Sequence, residues 1–266
     1  DQELKARPEE FQSAFLKWKT KIGEGALWRS LSLRGQETKG TELLQSADGA
    51  LTVKGELPEK DTWILTFDLP AGQPLTALRL DALTKKAGGK WKDKNVALRE
   101  LTAELFVDGE KSRKLRLTNP RADFSQKGWE VAKAIDGSTK AGWAFSPMAA
   151  APHVAVFDFD QPVTGGQLQL TLEQEYGQGL IFENFKVSVS NLPPSWLEAE
   201  VDAKGGLESV FVTHVYGPTR EMNVRLEAAR TNLEQVRRAI PQTPIMRELS
   251  VNRRRVTKVH RRGNFL

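Results

Sequence analysis

The sequence predicts a mainly β protein: an antiparallel, jelly-roll β-sandwich flanked by N- and C-terminal helices. Three observations carry that expectation. Between Trp28 and Asn191, apolar residues recur at every second position in short runs. Polar turns containing Asp-Gly, Gly or Pro separate those runs at a density that suits an antiparallel sandwich and not a parallel α/β sheet. Outside this region the apolar spacing changes to threes and fours, the period of a helix.

Residues 8–22 form the first expected element. Phe11, Phe15, Trp18 and Ile22 fall on one helical face, Pro8 and Glu9-Glu10 suit a first turn, and Gly23 suits the stop. A hairpin is expected over Leu44–Val53, turning at Asp48-Gly49. Thr62–Leu69 alternates with Trp63, Leu65, Phe67 and Leu69 on one face. Leu78, Leu80 and Ala82 repeat the pattern, as do Leu101, Ala103, Leu105 and Val107. Asp108-Gly109 supplies a further turn before Leu115-Arg116-Leu117. The remaining strands are His153–Asp160, Gln167–Leu172 and Phe185–Val189. Thr66–Leu69 followed by Leu78–Leu80 is echoed by Val156–Phe159 followed by Leu168–Leu170, as two sides of one roll would be. Asn191-Leu192-Pro193-Pro194 ends the β region, because proline donates nothing to a ladder. Two helical segments follow, Leu207–Val215 and Arg220–Ile240. In the second, Met222, Leu226, Ala229, Leu233, Val236 and Ile240 repeat as a heptad stripe, and the N-terminal helix is its expected partner. The resulting organisation is a helix over 1–24, a sandwich over 25–192, a helical segment over 193–241, and a basic tail over 242–266 that begins a further domain.

Composition narrows the function classes. With 39% hydrophobic and 27% charged residues, the chain of 266 residues has the make-up of a globular protein with a real core. No run approaches the roughly 18 apolar residues of a membrane span, so none is expected. Asp1-Gln2-Glu3-Leu4 lacks the basic and apolar regions of an export signal. The absence of cysteine excludes disulfides, thiolate metal sites and cysteine nucleophiles. The net charge of +5 is concentrated at the end: Arg247, Arg253, Arg254, Arg255, Lys258, Arg261 and Arg262 face one acid, Glu248. The remainder is close to neutral, so the folded body has no basic surplus for nucleic acid, and no nucleic-acid partner is expected. The alternation from Arg255 to His260 also reads as a strand.

The run Ala122-Asp123-Phe124-Ser125-Gln126, then Asp136-Gly137-Ser138-Thr139, Gly142-Trp143-Ala144 and the strand from His153 resembles the core of discoidin-type, galactose-binding-like modules. Together with Trp28-Arg29-Ser30-Leu31, Leu75–Leu80, Leu98–Leu101 and the segment from Pro244 to Leu266, it resembles the central part of large exported planctomycete proteins. Those proteins join a c-type cytochrome domain to two domains of unknown function. The resemblance implies a fragment of a longer polypeptide, an extracytoplasmic (periplasmic or secreted) setting, and an end at the start of the second unknown domain. Residues Gly88–Asn95 depart from that family's asparagine-rich loop, and no Cys-x-x-Cys-His haem motif is present.

The same resemblance implies a structural calcium ion (Ca2+) at Asp136, Ser138 and Thr139, with Glu183 on the final strand. Such a hard cation takes six to eight oxygens. The competing reading is an Asp-Gly turn whose carboxylate caps backbone N–H groups. For sugar stacking the candidates are Trp91, in a Lys- and Gly-rich loop, with Tyr176 and Gln178 in a Tyr-Gly-Gln-Gly loop; Trp63 and Trp143 suit the core. Catalysis has little support. His153, His214 and His260 show no metal-binding spacing, Gly-x-Ser-x-Gly is absent, and Asp158/Asp160 and Glu173/Glu175 sit at alternating strand positions. The expected function is therefore non-catalytic binding of a polysaccharide. The alternatives are a scaffold that packs on neighbouring domains or subunits, and a carbohydrate-active enzyme whose two acids lie apart in sequence.

Overall fold

The computed structural model describes residues 8–22, 27–83, 86–87, 90–91, 95–107, 113–138, 140–197, 206–240 and 253. In chain order the elements are α1 (Glu9–Lys21), β1 (Arg29–Ser30), β2 (Ser32–Glu37), β3 (Glu42–Gln45), β4 (Ala50–Lys54), β5 (Asp61–Asp68), β6 (Leu75–Ala82), β7 (Lys86–Ala87), β8 (Lys90–Trp91), β9 (Glu100–Phe106), β10 (Arg113–Leu115), β11 (Leu117–Ala122), β12 (His153–Val163), β13 (Gln167–Gln174), β14 (Asn184–Ser190), α2 (Pro194–Leu197), α3 (Gly206–Val210) and α4 (Gly217–Ala239).

Two antiparallel sheets form a sandwich. One runs β11-β12-β6-β14-β4-β3, with β1 also on β14; the other runs β10-β9-β13-β5-β2. The echoed strand pairs are neighbours in space, since β12 pairs β6 and β13 pairs β5, so each pair crosses once between the sheets. β5 shows why the sequence folds this way. Trp63, Leu65 and Phe67 point inward and are fully buried, while Thr62, Ile64 and Thr66 face out and are half-buried. Trp63 stacks on Phe185 of the opposite sheet at 5.4 Å, which ties the two layers through the middle of the core. Trp143 is also fully buried, and its indole N–H donates to the Phe124 carbonyl at 3.0 Å.

Edge strands were the hard ones to read. β2 carries Ser32, Arg34, Gln36 and Glu37 and has a partner, β5, on one side only, so polarity on both faces costs it little. β11 contains Pro120, tolerable because β11 lies at a sheet edge. Leu115 and Leu117, read as one strand, belong to different sheets: the chain changes layers at Arg116. The Asp108-Gly109 turn, the Gly23 helix stop and the tail over 242–266, with its Arg255–His260 strand, lie outside the described residues.

The outer face of the seven-stranded sheet carries a second apolar cluster. Phe11, Phe15 and Trp18 of α1 join Ala77 of β6, Val156 of β12, Leu197 and Phe211 there. Phe211 is the hub, with ring centroids 5.3–5.4 Å from Phe11, Phe15 and Trp18. Each buried aromatic contributes roughly 1.5–3 kcal/mol. This corrects one expectation: the aromatic stripe of α1 is covered by Phe211, Tyr216 and Trp196. α4 starts at Gly217, three residues before the expected Arg220, with Pro218 in its first turn. It buries no residue, and Met222, Leu226, Leu233, Val236 and Ile240 are exposed. No described helix is long and apolar enough to cross a membrane.

Candidate functional site

Tyr176, Gly177, Gln178 and Gly179 form the turn that leaves β13. Gly177, Gln178 and Gly179 adopt three successive left-handed conformations, with φ of 100°, 60° and 63°. Glycine accepts this freely; glutamine does so at a cost of order 1 kcal/mol, the kind of local strain that concentrates at functional loops. The turn is pinned on all sides. The Gly179 N–H donates to the Glu59 carbonyl at 3.1 Å, and Ala97 N–H donates to Leu180 at 2.9 Å. Arg99 Nη1 donates to the Glu175 carbonyl at 3.3 Å. Glu175 Oε1 accepts from Lys39 Nζ at 2.7 Å and Thr62 Oγ1 at 2.8 Å, and these bonds, Lys39 first, hold its carboxyl below the usual range.

The result is a presented aromatic. Tyr176 is 48% exposed, and its ring meets Trp129 edge-on, with centroids 5.1 Å apart and planes at 89°. Trp129 is half-buried and held by a tight turn, its N–H donating to the Gln126 carbonyl at 2.8 Å. Gln126 Oε1 accepts from Asn95 Nδ2 at 3.2 Å. Glu130, next to Trp129, pairs with Lys133 and accepts the Gly128 N–H; Lys133 is the main reason its carboxyl falls to about 2. An exposed ring flanked by Gln178, Arg99, Gln126 and Asn95 has the elements of a sugar platform: an apolar face beside amide and guanidinium groups. Trp129 was missed in the sequence. It sits among Gln, Lys, Gly and Glu, the polar flanking that singles out Trp91, so the same signal could have found it.

The Asp-Gly turn lies on the same rim. Asp136 Oδ1 accepts the Ser138 N–H at 2.7 Å, so the carboxylate caps its own turn. Gly137 N–H donates to Glu100 Oε1 at 3.3 Å. Glu100 opens β9 directly after Arg99, so the Asp136 turn and the Tyr176 turn flank one strand start. Gly142 fixes the return of this loop: it passes so close to β9's approach that a Cβ there would lie 2.0 Å from the Leu98 carbonyl oxygen. Trp143 then exchanges two backbone hydrogen bonds with Leu98, at 2.8 and 3.0 Å.

Glu100 is a buried electrostatic anomaly. It is 7% exposed, and its Oε2 is buried with no hydrogen-bond partner. Burial pushes the carboxyl up to about 7, Asp136 and Glu173 add to this, and the Gly137 N–H opposes it. No sequence signal marked it, because Leu-Arg-Glu-Leu reads as a strand with a solvent-facing glutamate; burial comes from the 131–138 segment folding over it. A cleft of about 450 Å³ runs from Glu100 past Thr102, Glu104, Lys114, Asn119 and Ile135, with no aromatic wall.

The other predicted site residues are more dispersed. Trp91 lies on β8, paired with Lys86 of β7; its side chain and Thr139 lie outside the described residues. Glu183 is half-buried at the foot of β14, its carbonyl accepting the Val53 N–H at 3.0 Å. Among the described residues no three His, Asp or Glu side chains converge as a metal cluster. His153, unremarkable in sequence, is buried: its Nδ1 lies 2.9 Å from Asp123 Oδ2 and its Nε2 2.8 Å from the Met148 carbonyl.

No protein-family model matches the chain, and no curated protein matches it. Solved structures similar to it include the CBM32-3 module of a family 31 glycoside hydrolase from Clostridium perfringens. That match has TM-score 0.33 and 12% identity, covering 64% of this chain and 97% of the module. Another is a family 29 carbohydrate-binding module complexed with cellulohexaose, with TM-score 0.25 and 7% identity, covering 62% of this chain and 85% of the other. At TM-scores below 0.5 neither likeness bears on what this chain does.

Proposed function

We propose that this chain is a non-catalytic, carbohydrate-binding β-sandwich module that meets polysaccharide at its rim, within a larger exported protein. The observation that carries this reading is the exposed Tyr176, braced edge-on by Trp129 on a pinned, left-handed turn. A rigid aromatic loses little entropy on binding, and the guanidinium and amides beside it supply the directional contacts. The uncovered platform suits a polymer passing over it better than a small molecule, which a cleft would enclose. Trp91 joins this surface in the full proposal.

The Asp136 turn takes a structural Ca2+ in this reading, with Asp136, Ser138, Thr139 and Glu183 as oxygen donors. The support is the orphaned Oε2 of Glu100 beside that turn, a buried acceptor that a cation would satisfy. Among the described carboxyl groups, Glu100 has its pKa raised to about 7, a value that suits acid catalysis. Its Oε2 is sealed from solvent, so no substrate oxygen reaches it, which favours the non-catalytic reading. Nucleic acid is not a partner in this account.

A glycan array probed with the labelled full chain tests the proposal. Binding to a defined set of polysaccharides, with no release of sugar on prolonged incubation, is expected. No binding across neutral and acidic glycans would leave a scaffold in its place, and released sugar would make it an enzyme.

A further inference from the structure

The heptad stripe of α4 is left without a cover among the described residues, and its flanks say what fits it. Met222, Leu226, Ala229, Leu233, Val236 and Ile240 alternate in spacings of four and three along one line of the helix. Leu226 is 45%, Leu233 51% and Val236 52% exposed. The seam spans about 27 Å, close to three heptads, with the small Ala229 at its middle. The six positions bordering the seam are Asn223, Arg225, Arg230, Asn232, Arg237 and Ala239, so every charge beside it is an arginine. The glutamates lie one step further out. Glu227 and Glu234 sit three residues before Arg230 and Arg237 and pair with them at 2.7 and 3.5 Å, which leaves no carboxylate facing a partner across the seam.

This arrangement discriminates among occupants. A second copy of the same helix would set Arg225 against Arg230 and Asn232 against Arg237 in a parallel pair, and Arg230 against Arg230 in a centred antiparallel one, with no opposite charge in either. A membrane surface is poorly matched: the seam is a narrow two-column line without Trp or Phe, and it does not form the broad apolar face of an interfacial helix. We propose that α4 is a docking helix for an amphipathic helix of another chain, one whose apolar seam is bordered by Asp or Glu. This stands independently of glycan binding, because it involves none of the rim residues.

The test uses the full chain and two labelled synthetic helices of about three heptads with the same Leu/Ile seam, one bordered by glutamate and the other by lysine. Fluorescence anisotropy is expected to show the acidic helix binding at least about tenfold more tightly than the basic one, and weakening with salt. Leu226→Gln with Leu233→Gln should abolish binding. The triple change Arg225→Glu, Arg230→Glu and Arg237→Glu should invert the preference toward the basic helix. These side chains are exposed, so unchanged circular dichroism confirms that each variant folds. Equal binding of both helices, binding of neither, dimerisation of the chain alone by light scattering, or uptake by phosphatidylserine vesicles without peptide preference would each overturn the proposal.

Discussion

Glu100→Gln tests whether the rim carboxyl is as strained as its surroundings imply. In the folded chain its proton is held up to about 7, against an ordinary 4.5, mainly because the carboxylate is buried. As pH rises through this window, the unfolded chain releases the proton first while the folded chain retains it. The folded state therefore loses stability between roughly pH 4.5 and 7 and stays at the lower level above. The full displacement corresponds to about 3 kcal/mol. Solvent relaxation at the rim brings the working figure down to about 1–2 kcal/mol. Glutamine keeps the acceptor for the Gly137 N–H and removes the charge. The variant should therefore be more stable than wild type by about 1–2 kcal/mol at pH 8, a shift of roughly 2–8 °C for a chain of this size. Near pH 4 the two should agree within about 0.5 kcal/mol. Urea unfolding followed by tryptophan fluorescence, with chelator present, measures both values. A variant that is less stable at pH 8, or a difference that does not change with pH, refutes the reasoning.

Other expectations follow from the same region. His153 has an acceptor at each ring nitrogen, which requires the imidazolium; burial opposes the charge, but Asp123 and the Met148 carbonyl outweigh it and raise the pKa above 6.5. Its contribution is full below about pH 6.5 and is lost as pH rises through the folded value. His153→Gln should thus cost about 1–2 kcal/mol at pH 5.5 and less at pH 9 by urea unfolding, and an unchanging gap would contradict this. Gly142→Ala forces a methyl against the Leu98 carbonyl and should destabilise by at least about 2 kcal/mol; a neutral effect in the same assay would mean the loop is not packed as described. Calcium at about one hundred times its dissociation constant should raise stability by about 2.7 kcal/mol over chelator, and Asp136→Ala should remove the gain; calorimetry that shows no calcium effect defeats the metal assignment.

Much of the architecture was legible because a half-buried strand advertises itself: Trp63, Leu65 and Phe67 on one side of β5 and Thr62, Ile64 and Thr66 on the other leave few alternatives. β2 and β11 were not, since edge strands need neither alternation nor freedom from proline. The partner of α1 was misread because two helical stripes in one sequence suggest each other. Packing instead used Phe211 and Tyr216, whose short segment has too few turns to display a stripe. At the rim, Tyr176 and Gln178 were visible through their glycines. Glu100 was not, because its burial depends on a segment more than thirty residues away, and no local pattern records that.

Affinity electrophoresis through gels containing a polysaccharide identified on the array bears most directly on the rim platform. Retardation of the wild-type chain should be lost in Tyr176→Ala and much reduced in Trp129→Ala, at unchanged melting temperature for the exposed Tyr176 variant. Full retardation of Tyr176→Ala, or its loss in Trp91→Ala alone, would place glycan recognition elsewhere and contradict the account.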